Sequence, residues 1–278
     1  MNMSERYDFH CHSTASDGAL TPTELVNRAH QHGVTALALT DHDTTAGLAE
    51  ASNAAERLGI QLISGIELST LWHGQCFHIV GIGIDPNYPP LAKATERLQT
   101  TRLQRAEKIA EKLAKKHIPG ALDAVVKAAG EGMITRSHFA EFLVAQNHVS
   151  TTQEAFDRYL AKGKPAYVST PWADLLEGVN WLVASGGIAI LAHPLRYQLS
   201  SNAMKRFLTA FKDAGGQGIE VVTGRTNDEE IRQASYYATQ FDLAGSAGSD
   251  FHEPEQWVEL GRLAPIPKHI KPVWNLLT

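Results

Sequence analysis

Residues 8–18 read DFHCHSTASDG. His10 and His12 are two residues apart at the end of an extended apolar run, RYDFHCH. Side chains alternate along a β-strand, so both imidazoles project from one face and Cys11 from the other. That arrangement lets two imidazoles reach one ion. Asp17 follows five residues after His12. A single histidine is more often a hydrogen-bonded core or surface residue, so the reading rests on whether the pattern recurs.

It recurs. Six further apolar runs follow: TALALTDHDT, IQLISGIELST, QCFHIVGIGID, GGIAILAHP, GQGIEVVTG and DLAGSAGSDFH. Between the first of them lie helical patterns. TPTELVNRAHQHG opens on Thr-Pro and stops at Gly33, and TTAGLAEASNAAERLG stops at Gly59. Strands alternating with helices predict βαβ units, an α/β fold with a mostly parallel sheet. Seven strands suit a (β/α) barrel one short of eight. Six of the runs finish at or just before an acid or histidine: His10 and His12; Asp41, His42 and Asp43; Glu67; His193; Glu220; Asp250 and His252. The fourth run departs from this, carrying His78 near its start. Strand ends of parallel barrels converge on one mouth, where sites are built.

Buried carboxylates such as Asp17, Glu67 and Asp250 need a counter-charge. No lysines fall at these strand ends to supply it, and metal cations are the economical answer. His30, His32, His73, His117, His148 and His269 lie in helical, polar or terminal segments and read as ordinary residues. Cys11 reads as a small buried hydrophobe.

The rest of the chain sets bounds. Its 278 residues suffice for one large domain or a domain with an insertion, and 43% hydrophobic content builds a core without staples. A net charge of −5 with interspersed signs excludes a broad basic surface for duplex DNA, while leaving a small nucleotide or a short single strand open. Two distant cysteines make no disulfide framework, so a cytoplasmic setting is expected. MNMSERYDF lacks an export pattern, and no apolar run is long enough to span a membrane. No obligate protein partner is expected.

HCHS near the start, TDHDT, GIELS, AHP and GSDFH resemble the polymerase-and-histidinol-phosphatase (PHP) domain, whose members are metal-dependent phosphoesterases on a distorted (β/α)7 barrel. SDGALTPTELV and GKPAYV look like the stand-alone bacterial branch, which contains 3′,5′-nucleotide bisphosphate phosphatases and a 5′-to-3′ exoribonuclease of small RNAs. The resemblance implies three ions. His10, His12, Glu67 and Asp250 would hold one. Glu67 as a bridge, His78 and His193 would hold a second, and Asp17, His42 and His252 a third. A shell of nitrogen and oxygen suits Mn²⁺, with Fe²⁺ or Zn²⁺ as alternatives. Asp41, Asp43 and Glu220 are candidates for orienting imidazoles through the second ring nitrogen, against a reading as ordinary strand-end or turn acids.

About a hundred residues separate the strand of His78 from GGIAILAHP. Within them LQTTRLQRAEKIAEKLAKKH is helical by its three- and four-residue spacing. Residues 99–164 are expected to form a small helical insertion capping the mouth of a barrel made from 1–98 and 165–278. Thr135, Arg136, Ser137 and His138 fall at a helix start, where free N–H groups and a guanidinium favour an anion. A plain N-cap at Thr135 or Ser137 is the simpler alternative. Arg136 and His138, then Lys164 and Arg196, are the candidates for a second phosphate. Arg102 and Arg105 read as solvated charges on the cap.

Metal ions lower the pKa of a bound water to about 7, so hydroxide is available and no protein nucleophile is required. The expected substrate is a nucleoside 3′,5′-bisphosphate, losing its 3′-phosphate, or a short 5′-phosphorylated single strand. The alternatives are a histidinol-phosphate phosphatase, a metal-dependent amidohydrolase, a non-catalytic accessory module and a structural zinc protein. Asp250 and His252 together on the last strand favour phosphoester chemistry over the amidohydrolase. The complete ligand set and the lack of cysteine-rich sites count against the last two.

Overall fold

The computed structural model describes residues 6–254 and 257–277. The first five residues of MNMSERYDF lie outside them. β1 (Tyr7–Asp8) leads to α1 (Pro22–Gln31), β2 (Ala36–Leu39), α2 (Leu48–Leu58), β3 (Gln61–Trp72) and β4 (Gln75–Ile82). A helical stretch follows: α3 (Pro89–Ala114), α4 (Ala121–Ala129), α5 (Arg136–Ala145) and the short α6 (Thr152–Ala155). The chain then returns through β5 (Ala173–Asp174), α7 (Leu175–Ala184), β6 (Ile188–Leu191), α8 (Ser201–Asp213), β7 (Gly218–Thr223), α9 (Asp228–Gln240) and β8 (Ala244–Gly248).

The expected starts and stops of the first helices are present for the expected reasons. Thr21 caps α1 by accepting from Glu24 N–H, with the Glu24 side chain returning the bond and Pro22 at the first turn. Gly59 ends α2 at φ 69°.

Seven strands run around the barrel in the order β1-β2-β3-β4-β6-β7-β8, and the two-residue β5 adds to β3 outside this path. Beyond the short β1, the backbone closes the ring on β8: Phe9 N–H donates to Ala247 O at 3.0 Å and Asp250 N–H to His10 O at 2.7 Å. Period-two alternation sorts the core. Ala36, Ala38, Ile188 and Ile190 fill the barrel interior with Phe9, Val80 and Ile82. Leu37 and Leu39 face outward onto α1 and α2, where Cys11 also packs, fully buried.

β4 is antiparallel to both its neighbours. His73 and Gly74, at φ 48° and 74°, form a two-residue hairpin between β3 and β4. That reversal explains the one strand whose histidine stands at its start. β4 enters from the mouth, so its beginning lies where the parallel strands end, with His78 paired to Ser69 of β3.

α3 runs unbroken across residue 98. Its Leu91, Ala94 and Leu98 pack into the barrel-side core, whereas Ala106, Ile109 and Leu113 join a separate cluster with Val125, Phe139 and Leu143 of α4 and α5. Val168 still belongs to that cluster, and Trp172 to the barrel side. Among the described residues no helix is long and apolar enough to cross a membrane.

Candidate metal centre

At the mouth, Glu67 is the hub. Its Oε2 lies 2.9 Å from His42 Nδ1 and 3.3 Å from the Nε2 atoms of both His10 and His12. Its Oε1 lies 3.0 Å from His78 Nδ1 and 3.1 Å from His193 Nε2. Asp250 Oδ1 approaches His12 Nε2 at 3.3 Å and His10 Nε2 at 3.5 Å. On the other side, Asp17 Oδ1 lies 3.5 Å from His252 Nε2 and 4.0 Å from His12 Nδ1. The nine strand-end residues therefore form one contiguous cluster. Three tight groups stand out within it: His10, His12 and Glu67; His42, Glu67 and His78; and His12, Asp17, His42 and His252. His42 thus stands between two of the groups, where the resemblance had assigned it to one, and His193 Nε2 meets the cluster at Glu67 Oε1.

The donor geometry suits cations. His10 Nε2 and His12 Nε2 face each other at 3.1 Å, close to the separation of roughly 3.0–3.4 Å that two nitrogens about 2.1 Å from one ion would have. Asp17 Oδ1, His42 Nδ1 and Glu67 Oε2 are buried without a hydrogen-bond partner, although imidazoles and carboxylates stand close by. Unpaired buried polar atoms are costly, and multivalent cations would satisfy all three.

Electrostatics agree. Burial alone would raise the Glu67 carboxyl pKa, yet His42, His10 and His78 hold it well below the ordinary range. Burial lowers His10, but Glu220, Glu67 and Asp250 outweigh it and lift the imidazole well above its usual value. Burial holds His12, His42 and His193 down. Asp43, His193 and Asp250 adopt left-handed backbone, at φ 55°, 30° and 57°. Such conformations cost of order 1–3 kcal/mol each and gather at functional sites.

The supporting acids divide. Glu220 Oε1 accepts from His10 Nδ1 at 2.6 Å, and its Oε2 accepts from His193 N–H at 2.6 Å, so it fixes two imidazole-bearing residues. Asp41 and Asp43 touch no imidazole, which corrects the role expected of them. Asp41 accepts from Ser13 N–H, Ser13 Oγ and Ser16 Oγ at 2.6–2.8 Å, pinning the turn that carries Asp17. Asp43 accepts from Ser69 N–H and from Arg102, whose NH2 is 2.6 Å from its carboxylate. Arg102 is 4% exposed, a buried tie between α3 and the His42 loop and no solvated charge. Sequence reading also missed Tyr197, whose hydroxyl accepts from His78 N–H at 2.9 Å.

The candidate phosphate contacts divide as well. The Thr135 and Ser137 hydroxyls each donate to Asp17 Oδ2 at 2.8 Å. Thr135 Oγ1 caps α5 by accepting from Ser137 N–H, and His138 Nδ1 accepts from Thr135 N–H. The Thr135 and Ser137 hydroxyls at the helix start are thus committed to holding Asp17. Lys164 is exposed, in a turn, and lines neither cavity at the centre. Arg196 pairs with Asp250. Arg136 does face a cavity. It shares a space of about 110 Å³ with Arg102, Arg105, Tyr167 and Trp172, directly beside Asp17, His42 and His78. Arg105 stacks on Trp172 and Arg136 on Phe156. Neither has a carboxylate within ion-pair distance among the described residues, and Arg105 Nε is buried without a partner. Burial, then the charges of Arg136 and Arg102, push the Arg105 guanidinium down to about 9.

A barrel whose mouth gathers six imidazoles and two further carboxylates around a central glutamate is of the class that binds metal ions. The chain belongs to the PHP domain family, whose profile matches residues 8–223. It is 46% identical to a 5′-3′ exoribonuclease of Haemophilus influenzae, over 98% of this chain and 99% of that one. It is 42% identical to a 3′,5′-nucleoside bisphosphate phosphatase of Chromobacterium violaceum, over 97% of this chain and 95% of that one. A solved structure from Chromobacterium violaceum, described as an amidohydrolase with bound sulfate and no metal, superposes with a TM-score of 0.94 at 42% identity. It covers 98% of this chain and 95% of its own.

Proposed function

We propose that the protein is a metal-dependent phosphoesterase that removes the 3′-phosphate of nucleoside 3′,5′-bisphosphates and also trims short 5′-phosphorylated oligonucleotides from the 5′ end. The observation that carries this is the basic cavity beside the centre. Arg105 and Arg136, both lining this cavity without a carboxylate within ion-pair distance among the described residues, call for an anionic group a short distance from the reacting phosphorus. A substrate with one phosphate supplies none, and one with two supplies it. The names borne by the two relatives favour the same reading.

His10, His12, Asp17, His42, Glu67, His78, His193, Asp250 and His252 are the proposed ligands, and Mn²⁺ the proposed ion, with Fe²⁺ or Zn²⁺ as alternatives. Bound cations of this type activate water and offset the charge that builds on the phosphoryl oxygens. The chain's own part is positional. Glu220 and Tyr197 fix His10 and His78, and Thr135 and Ser137 hold Asp17. Arg105 and Arg136 set the distance between the two phosphates. Residues 99–164 serve as the cap that supplies them, and two free thiols, Cys11 and Cys76, suit a reducing cytoplasm.

The test is phosphate or nucleotide release from a 3′,5′-bisphosphate, a 5′-phosphorylated dinucleotide and histidinol phosphate in the presence of Mn²⁺. The bisphosphate should be turned over fastest. Faster release from histidinol phosphate would replace this reading with that of a small-molecule monoesterase.

A further inference from the structure

A second cavity opens off the same centre. It measures about 480 Å³ and runs between the loops that carry Asp17 and His252 and helices α4, α5 and α6. Asp17, Ser137 and Phe156 line both spaces, so they form the ridge between them. Away from that ridge the linings are separate. The smaller cavity is bounded by β3, β4 and α3, with its arginines and Trp172. The larger is bounded by Gly18, Ala128, Gln153 and Glu253. Clefts that hold whole ligands run from roughly 300 Å³ upward, so the larger space admits a nucleotide, whereas the smaller suits an anionic terminus.

Resting on the proposed function, we propose that this groove holds the nucleotides on the 3′ side of the bond being cut. The 5′-phosphate of a short RNA would sit at Arg105 and Arg136, its first phosphodiester at the centre, and the remaining chain in the groove. One bond change then serves both substrates. Water adds to phosphorus and the P–O3′ bond breaks. The O3′ takes a proton, and the water oxygen stays on phosphorus. A bisphosphate yields inorganic phosphate and a 5′-mononucleotide. An RNA yields a 5′-mononucleotide and a shortened chain that carries a new 5′-phosphate, which the basic cavity can accept for the next cycle. Polarity follows from placing Arg105 and Arg136, which have no carboxylate within ion-pair distance among the described residues, on the other side of the ridge. The groove carries Arg196 and Arg225 but also Glu141 and Glu253. Its hold on a phosphate backbone is therefore weak beyond the first units, which restricts the substrate to short chains.

Ala128, exposed on α4, lines the groove and belongs to none of the metal-ligating groups, and changing it to Trp narrows the groove. For Ala128→Trp, kcat/KM on a 5′-phosphorylated dinucleotide should fall at least tenfold relative to its value on a 3′,5′-bisphosphate. A parallel fall on both substrates, or no change in the ratio, overturns the assignment. A second measurement needs no turnover and no variant: a hydrolysis-resistant 5′-phosphorylated trinucleotide with 4-thiouridine in the second position, photocrosslinked to the wild-type protein. Crosslinks in residues 121–129 or 151–157 support the groove, and crosslinks confined to α3 or β4 overturn it. Wild-type protein inactive on both substrates would defeat the functional reading itself, while the crosslink would still report where the chain lies.

Discussion

The Arg102 guanidinium meets the Asp43 carboxylate at 2.6 Å, and both side chains are buried. The pair joins α3 to the loop that presents His42. Thr135 and Ser137 make a second tie, onto Asp17. The helical segment is therefore fastened to two of the loops that build the centre, and its stability is linked to theirs.

Breaking a buried pair from one side leaves a desolvated charge, at a cost of about 3–5 kcal/mol. Arg102→Met should lose that much stability in urea denaturation. Adding Asp43→Asn, which removes the stranded carboxylate and is tolerated at positive φ, should recover part of it. A double variant no more stable than the single would show that the pair contributes through packing on Trp172 alone.

Glu220 acts through His10. Glu220→Gln weakens the acceptor that sets the imidazole's orientation, and loss of such a partner costs 10–100-fold in metal affinity. Calorimetric titration of the metal-free protein with Mn²⁺ should show that loss, with the fold unchanged by circular dichroism.

Much of this was legible in the sequence, and the failures have physical causes. All seven barrel strands announce themselves as apolar runs, because strands packed on both faces must be apolar. The cluster at the mouth announces itself because acids and histidines recur at the ends of apolar runs. The reversal of β4 was hidden, since His73-Gly74 is a weak turn signal that only the pairing of β3 with β4 resolves. The two-residue β5 has no periodicity to read. Partner choice was hidden too. Asp41 and Asp43 sit beside His42 in sequence, yet their carboxylates turn toward Ser13 and Arg102. Spacing reveals which residues meet at the mouth and says little about which oxygen each acid accepts with. Arg102 and Arg105 looked solvated because charges on an amphipathic helix read as surface charge until burial is known.

If the cluster holds catalytic cations, chelation with EDTA should abolish phosphate release and added Mn²⁺ should restore it. His12→Ala, Asp17→Ala and Asp250→Ala should each reduce turnover severely, whereas His148→Ala, away from the mouth, should not. Cation binding displaces protons from the imidazoles, so activity should rise from acid to neutral pH. A maximum near pH 5 would indicate a general acid supplied by the protein.

Stability away from the centre has its own pH dependence. Arg28 on α1 holds Glu259 in a two-point contact, with Nε 2.9 Å from Oε1 and NH2 2.6 Å from Oε2. Partial burial raises the Glu259 pKa, but Arg28 outweighs it and the net shift is downward. A depressed carboxylate stabilises the fold above its ordinary, unfolded value and loses that contribution as pH falls through the folded one. Glu259→Gln should therefore cost about 0.5–1 kcal/mol at pH 7, with the gap to wild type closing in strong acid. Thermal melts of both proteins at the two pH values measure it.

Substrate choice is read at the arginines. Charge-assisted contacts contribute about 1.5–3 kcal/mol each, roughly a tenfold to hundredfold effect on rate. Arg136→Ala and Arg105→Ala should each lower kcat/KM by that order on a 3′,5′-bisphosphate. On p-nitrophenyl phosphate, which has no second phosphate to place, both should stay close to wild type. The two residues share one anion, so the double variant should lose less than the product of the single losses. Equal losses on both substrates would mean that the arginines serve the centre or the fold. No loss on either would move the second phosphate out of this cavity, and Arg196, freed from Asp250, would be the next residue to test.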